Sequence, residues 1–235
     1  MKLDWLKLLL FRTKPTKKSI SHMDIVAALR DSGMEITDRA VREAEMGLGE
    51  MLATMKKRRI PRPEHPGDFV LRLLNSLGAG IYDPDTGAWM PTSTDVYSFD
   101  AEAVDIEHMY ALFLQGIAAI IPDAQFTEVT ETIREREHPD MPAEEMKPGE
   151  LPLEGHKSVA FTLNGHRYER ELEYHGDWFD ETAIGWINEI LAREGFPGRL
   201  HFFYDGGQGL ILLYGDEAFG ERLMKIIPER YHGRK

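Results

Sequence analysis

Residues 157–174, KSVAFTLNGHRYERELEY, decide the fold of this chain. Apolar side chains alternate with other residues on both sides of Asn164-Gly165, at Val159, Phe161, Leu163, Tyr168, Leu172 and Tyr174. Asn-Gly between two alternating runs is the strongest short signal for a β-hairpin, because both turn positions need a positive φ. The sequence therefore predicts two antiparallel strands that turn at Asn164-Gly165 and bury one face.

A second hairpin is predicted in residues 200–214, LHFFYDGGQGLILLY, with its turn at Gly206-Gly207. The two apolar runs are typical of central strands. Between the hairpins, Asp180 can cap a helix that extends to about Arg193 and presents an apolar face. We expect this helix to pack across the sheet that the hairpins form.

The remaining pattern alternates helices with extended segments. Helical spacing predicts two helices within 21–59, a third over 66–77, another over 106–121, and a last one after Asp216. Strands are expected at 96–99 and 126–137, and a solvated loop at 138–155. This order indicates an α+β fold, with a helical N-terminal region (1–80) followed by a domain (81–235) whose largely antiparallel sheet is covered by helices.

Composition is that of an ordinary soluble protein. The chain has 235 residues, of which 42% are hydrophobic and 29% charged, and it has no cysteine. A disulfide scaffold, a cysteine nucleophile and a thiolate metal site are therefore excluded. The lack of cysteine fits a reducing compartment, so we expect a cytoplasmic protein.

Residues 1–20 combine a short apolar patch, from Trp5 to Phe11, with six flanking Lys and Arg residues. The patch is shorter than the roughly 20 apolar residues that a membrane span needs, so stable insertion is not expected. Two interpretations stay open: a helix that docks on the core, which we favour, and an anchor at a membrane surface.

Charge is distributed unevenly. Residues 1–62 hold 14 Lys and Arg against 8 Asp and Glu, a net of +6, whereas residues 63–235 hold 14 against 32, a net of −18. Most of the surface would repel phosphates, so nucleic acid is not an expected partner. Between Arg72 and Arg134 His108 is the single basic side chain, and the same stretch carries ten carboxylates. Such a block can hold a metal ion, attract a cationic partner, or be neutralised by the chain's own basic region.

Five residues of this block are close in sequence: Asp100, Glu102, Asp105, Glu107 and His108. Carboxylates with one imidazole suit Mg²⁺, Mn²⁺ or Zn²⁺, and a metal-dependent hydrolase that uses Asp100, Glu102, Asp105 and His108 is the alternative function. The acids also match the first turn of the helix predicted from about 106, where they favour the helix dipole. We therefore predict neither a metal nor a cofactor site here.

A second candidate is His175-Gly176-Asp177-Trp178-Phe179-Asp180, just before a predicted helix. In one interpretation Asp180 caps that helix while Trp178 and Phe179 attach it to the sheet. In the other, exposed aromatic rings beside acids form a hot spot for a cationic partner. His175 and Asp177 have no nucleophile beside them in the sequence, so an acid–base pair has little to act on.

The sequence does not meet the requirements of three common binding motifs. The glycines of Asp205–Gly209 lie between strands and lack the lysine of a phosphate loop. A calcium loop from Asp83 would need Gly at Ala88 and an acid at Thr94. A helix–turn–helix around Gly33 would place Arg39 where a buried aliphatic is expected, which favours a plain helical hairpin.

Four segments carry a resemblance: Val96–Asp100, Met109–Ile117, Asp177–Asp180 and the Asp205–Gly209 turn. Across about residues 80–228 the chain resembles uncharacterised bacterial cytosolic proteins, and in character it is similar to immunity proteins of polymorphic toxin systems. That resemblance implies a stoichiometric binder whose acidic face meets a basic toxin domain. The expected function is thus non-enzymatic binding of a cationic protein through Asp100, Glu102, Asp105, Glu107, Asp177 and Trp178, with the oligomeric state left open.

Overall fold

The alternation around Asn164-Gly165 produces the hairpin that the sequence predicts. In the computed structural model, which describes residues 21–31, 33–60, 65–82, 89–102, 107–135, 155–227 and 229–233, β5 (Gly155–Leu163) pairs antiparallel with β6 (His166–Tyr174). Asn164 and Gly165 have φ of 52° and 81°, the pair of positive values of a type I′ turn. The second hairpin, β7 (Arg199–Tyr204) and β8 (Gly209–Gly215), is confirmed as well.

The other elements follow the predicted order. The helices are α1 (His22–Asp31), α2 (Asp38–Lys57), α3 (Pro66–Gly78), α4 (Met109–Ile120), α5 (Thr182–Arg193), α6 (Glu217–Ile226) and a 3₁₀ turn at Glu229–Tyr231. The remaining strands are β1 (Ile81–Tyr82), β2 (Trp89–Met90), β3 (Val96–Asp100) and β4 (Thr127–Glu135). The α+β class is confirmed. None of the helices within the described residues is long and apolar enough to cross a membrane.

The expectation that both hairpins share one sheet is wrong. Two three-stranded antiparallel sheets form, with strand orders β3-β8-β7 and β4-β5-β6, and β1 pairs separately with β2. Because β3 pairs with β8, that strand is central as predicted, but β7 lies at an edge. The single-sheet expectation failed because strands more than 100 residues apart in the chain, such as β3 and β8, become neighbours through tertiary packing, which local alternation does not encode.

The sheet β3-β8-β7 separates two apolar cores. On one side Ile211 and Leu213 of β8 pack with α1, α2 and α3. On the other side Leu210 and Leu212 pack with α4, α5 and the inner face of β4-β5-β6. Burial of both faces explains why β8 reads as a continuous apolar run rather than an alternating one.

Side chains close the helix ends largely as predicted. Ser21 Oγ accepts from the Asp24 amide, Thr37 Oγ1 from Ala40 and Asp216 Oδ1 from Phe219, so these three caps are confirmed. The helix predicted from about 106 begins at Met109, and its N-cap residue His108 makes no capping bond with its side chain. Three expected features lie outside the described residues: the docking helix in 1–20, the loop at 138–154 and the turn at 83–88.

Candidate functional site: the Trp178 surface

The two candidate segments of the sequence meet in the structure. Glu102, just beyond the end of β3, forms an isolated antiparallel bridge with Trp178, and the Phe179 amide donates to the Ala101 carbonyl at 2.8 Å. This contact places Asp100 and Glu102 beside Asp177 and Trp178, although the two pairs are more than 70 residues apart in sequence. We call these four residues, all exposed, the Trp178 surface.

Adjacent aromatic residues have opposite roles here. Phe179 is 1% exposed and packs against Phe99, Tyr110 and Phe113, with ring centroids 4.9–5.1 Å apart. Trp178 is 40% exposed. The interpretation in which both rings attach the helix to the sheet therefore holds for Phe179 alone, and Phe179 acts as the anchor that holds Trp178 at the surface.

The turn that carries Asp177 and Trp178 is closed by its own backbone. The Trp178 amide donates to the His175 carbonyl at 3.3 Å, and Gly176 has a φ of 67°, which favours glycine. Asp180 then accepts from the amides of Thr182 and Glu173, at 2.9 and 3.0 Å, and so connects the turn to both α5 and β6. Asp180 Oδ1 thus accepts from the amide of Thr182, the first residue of α5, as a capping side chain would. The N-cap residue itself is Glu181, one position later than predicted.

Tyr110 supports the same turn from below. Its hydroxyl accepts from the Asp180 amide at 3.2 Å, and burial raises the pKa of the phenol well above its usual range. The ring therefore stays neutral. Phe179, Asp180 and Tyr110 together hold the backbone next to Trp178, and a backbone that is held in place before binding lowers the entropic cost of binding.

The Trp178 surface borders a cavity of about 510 Å³ with a mixed charge. Carboxylates, arginines and histidines line it together with apolar side chains from α5 and β7; the charged and titratable ones are Arg170, His175, Asp180, Glu181, Glu189, Arg199 and His201. Asp100 and Glu102 are not part of this lining: Glu102 accepts from Gln208 Nε2, and Asp100 Oδ1 accepts from the Glu102 amide at 3.0 Å.

The structure does not bring every predicted residue to this surface. Glu107 lies in the turn before α4, where it and His108 line a different cavity, and Asp105 lies outside the described residues. Within the part of the chain that the structure describes, no group of three or more His, Asp or Glu side chains could hold a metal ion. Asp100, Glu102 and His108 therefore do not converge on a metal site by themselves.

Sequence reasoning missed a buried ion pair beneath the start of α4. Lys157 Nζ lies 2.6 Å from Glu131 Oε2, and these side chains are 1% and 4% exposed. Glu131 Oε1 also accepts from the Ala111 amide at 2.6 Å, in the first turn of α4, and the Tyr110 ring centroid lies 5.5 Å from Lys157 Nζ. Glu131 thus satisfies a helix N-terminus that the predicted acids near Asp105 were expected to serve.

Comparison of this chain with family models, with curated proteins and with solved structures finds no significant match.

Proposed function

We propose that this chain is a non-enzymatic binding protein, and that the Trp178 surface recognises a cationic protein partner. The observation that carries the proposal is the bridge between Glu102 and Trp178, which sets an exposed tryptophan among three exposed carboxylates. Trp is one of the residues most often found at the energetic centre of an interface, and flanking charge directs the encounter.

Aromatic and acidic groups contribute differently to such an interface. The exposed indole face offers apolar contact and a cation–π site for an Arg or Lys of the partner. Asp100, Glu102 and Asp177 attract that cation over about 10 Å at 0.1 M salt. The partner we propose is accordingly a basic domain, of the type that immunity proteins neutralise in the cytoplasm, bound stoichiometrically.

Kinetics of the complex test this proposal directly. Basic proteins encoded beside the gene for this chain are the first candidate partners. Stopped flow measures the association and dissociation rate constants of each, with any toxic activity removed by mutation. Glu102→Lys with Asp177→Lys should slow association by about tenfold or more and change dissociation little. The matched control is Glu45→Lys with Glu50→Lys, two exposed acids of α2 that change the net charge equally.

Trp178→Ala should act on the other rate constant. Loss of a hot-spot ring of about 2 kcal/mol raises dissociation roughly thirtyfold. Because the ring is also partly buried, thermal unfolding of each variant must show that the fold persists at the assay temperature. Association that is insensitive to salt and equal in both charge-reversed variants would refute the proposal.

A further inference from the structure

A second cavity, separate from the Trp178 surface, lies along the outer edge of β4. Its volume is about 630 Å³, within the range of ligand-binding clefts. Five consecutive residues of the strand line it, Val129 to Ile133, opposite three residues at the start of α4: Glu107, His108 and Ala111. Successive residues point to opposite faces of a sheet, so a cavity that touches all five must run along the strand edge. We call it the β4 groove.

Backbone groups of β4 face this groove. Leu163 and His166 flank a two-residue turn and are therefore the hydrogen-bonded pair that closes the hairpin. Alternation along β5 then directs the bonds of Ala160, Ser158 and His156 toward their β4 partners, Thr130, Thr132 and Arg134. The N–H and C=O groups of Glu131 and Ile133 consequently point outward into the groove.

Two other strand edges in the described chain are covered at some of their residues. At β7 the Asn188 side chain pairs with both the N–H and the C=O of Leu200, at 2.7 and 3.0 Å, and Phe203 bridges to His232. Near the end of β6 the Glu173 amide donates to Asp180. Natural proteins cover or interrupt exposed edges because they otherwise pair with further strands. On β4 the interruption is a bulge at one end, where Glu128 has a φ of 51°, while 129–133 border the open groove.

Side chains along the inner face of β4 indicate which strand would fit. Val129, Glu131 and Ile133 present an apolar, an acidic and an apolar side chain in turn, and Glu107 adds a second carboxylate. Lys157 compensates Glu131, and the groove lining contains no Lys or Arg. An added strand with an apolar–basic–apolar face would therefore set apolar side chains against Val129 and Ile133 and bring a cation to Glu107, the carboxylate of the lining that Lys157 does not compensate.

We propose that the β4 groove binds an extended, basic peptide segment of a partner protein as a fourth strand of the sheet β4-β5-β6. Main-chain bonds to Glu131 and Ile133 supply affinity, and the basic side chain beside Glu107 supplies selectivity. Five residues of strand span about 17 Å, so five paired residues fill the edge and a seven-residue peptide leaves one residue over at each end. This site does not depend on the Trp178 surface, and either can fail alone.

The probe is the peptide TVTKTVT, whose Val and Lys side chains share one face. Amide exchange, resolved by residue with NMR, should be fast at Glu131 and Ile133 in the free protein and slow at Thr130 and Thr132. Saturating peptide should slow exchange at Glu131 and Ile133 alone. The same peptide N-methylated at its Lys and both Val keeps every side chain but cannot form the ladder, and it should bind at least about tenfold more weakly.

Two further controls separate pairing from general attraction. TVTETVT should bind more weakly than TVTKTVT, since the groove is acidic. Ala111→Arg should abolish binding by filling the groove, whereas Gln115→Arg, one turn further along the exposed side of α4, should not. Equal binding of the N-methylated peptide would overturn the proposal. So would protected Glu131 and Ile133 amides in the free protein, because the chain itself, or a second copy, would then already cover the edge.

Discussion

Replacing Lys157 by Met should lower the free energy of unfolding by about 3–5 kcal/mol, the cost of leaving one member of a buried ion pair without its partner. At 2.6 Å the attraction between Lys157 and Glu131 is about 6 kcal/mol for an effective dielectric constant of about 20. Desolvation costs several kcal/mol for each ion, so the intact pair contributes little net stability. The large loss in the variant comes from the carboxylate that stays behind, 4% exposed.

Glu131→Gln provides the companion variant. The amide oxygen still accepts from the Ala111 amide, so α4 keeps its partner while the charge disappears. Alone, this variant removes the carboxylate charge beside the buried ammonium of Lys157 and should also cost about 3–5 kcal/mol. Together the two substitutions remove both charges, and the double variant should lose only about 1–2 kcal/mol, far less than the sum of the single losses.

Urea unfolding of the wild type, both single variants and the double variant measures this coupling. The slope m should stay constant, so that midpoint changes report stability. Two results would refute the reasoning: a Lys157→Met loss below about 1 kcal/mol, or additive single losses. Either would mean that water reaches the pair and that it behaves as a surface salt bridge.

The same unfolding assay checks three smaller predictions. Gly220→Ala should destabilise by about 1–3 kcal/mol because its Cβ would clash with the His201 ring, whereas Gly49→Ala, with open space around it in α2, should stabilise by about 0.5–1 kcal/mol. Arg59→Gly should stabilise by about 1 kcal/mol, since Arg59 has a φ of 57° just after α2. Burial lowers the pKa of His201 below 6.5, so as the pH falls the unfolded chain binds this proton before the folded chain does. The contribution of His201 to the free energy of unfolding should therefore be complete above pH 6.5 and decrease below it. His201→Gln should remove that part of the pH dependence.

Local signals were sufficient for most elements of the fold. Each correctly predicted feature depends on residues within one turn or one strand pair. These features are the Asn164-Gly165 turn, the helix caps at Ser21, Thr37 and Asp216, and the helical spacing of α3. Such features are decided by backbone geometry and by hydrogen bonds to near neighbours, which a single sequence contains. The division into two sheets depended on which strand β8 would meet, and that choice involves surfaces far apart in the chain.

The Trp178 surface was predicted only in part for the same reason. The sequence indicated both acidic segments but not that Glu102 and Trp178 would pair, nor which of Trp178 and Phe179 would face solvent. A signal for the buried pair was present. Lys157 is in phase with the inward positions of β5, and Glu131 with the inward positions of β4. Charges at inward positions of neighbouring strands are costly unless they meet.

Tyr110 joins the two proposed binding regions physically. Its ring lies beside Lys157 and Phe179, and its hydroxyl accepts from the Asp180 amide. Tyr110 therefore contacts both the turn that carries Trp178 and the Lys157–Glu131 ion pair next to the β4 groove. A basic partner that presents both an extended segment and a cationic face would engage both regions at once. The second contact would then form within one complex, at an effective concentration set by the tether between them, so that two weak contacts combine into a tight one. Tyr110 would couple the two sites energetically only if binding of the added strand shifted α4. If α4 stays in place, binding at one site leaves the affinity of the other unchanged.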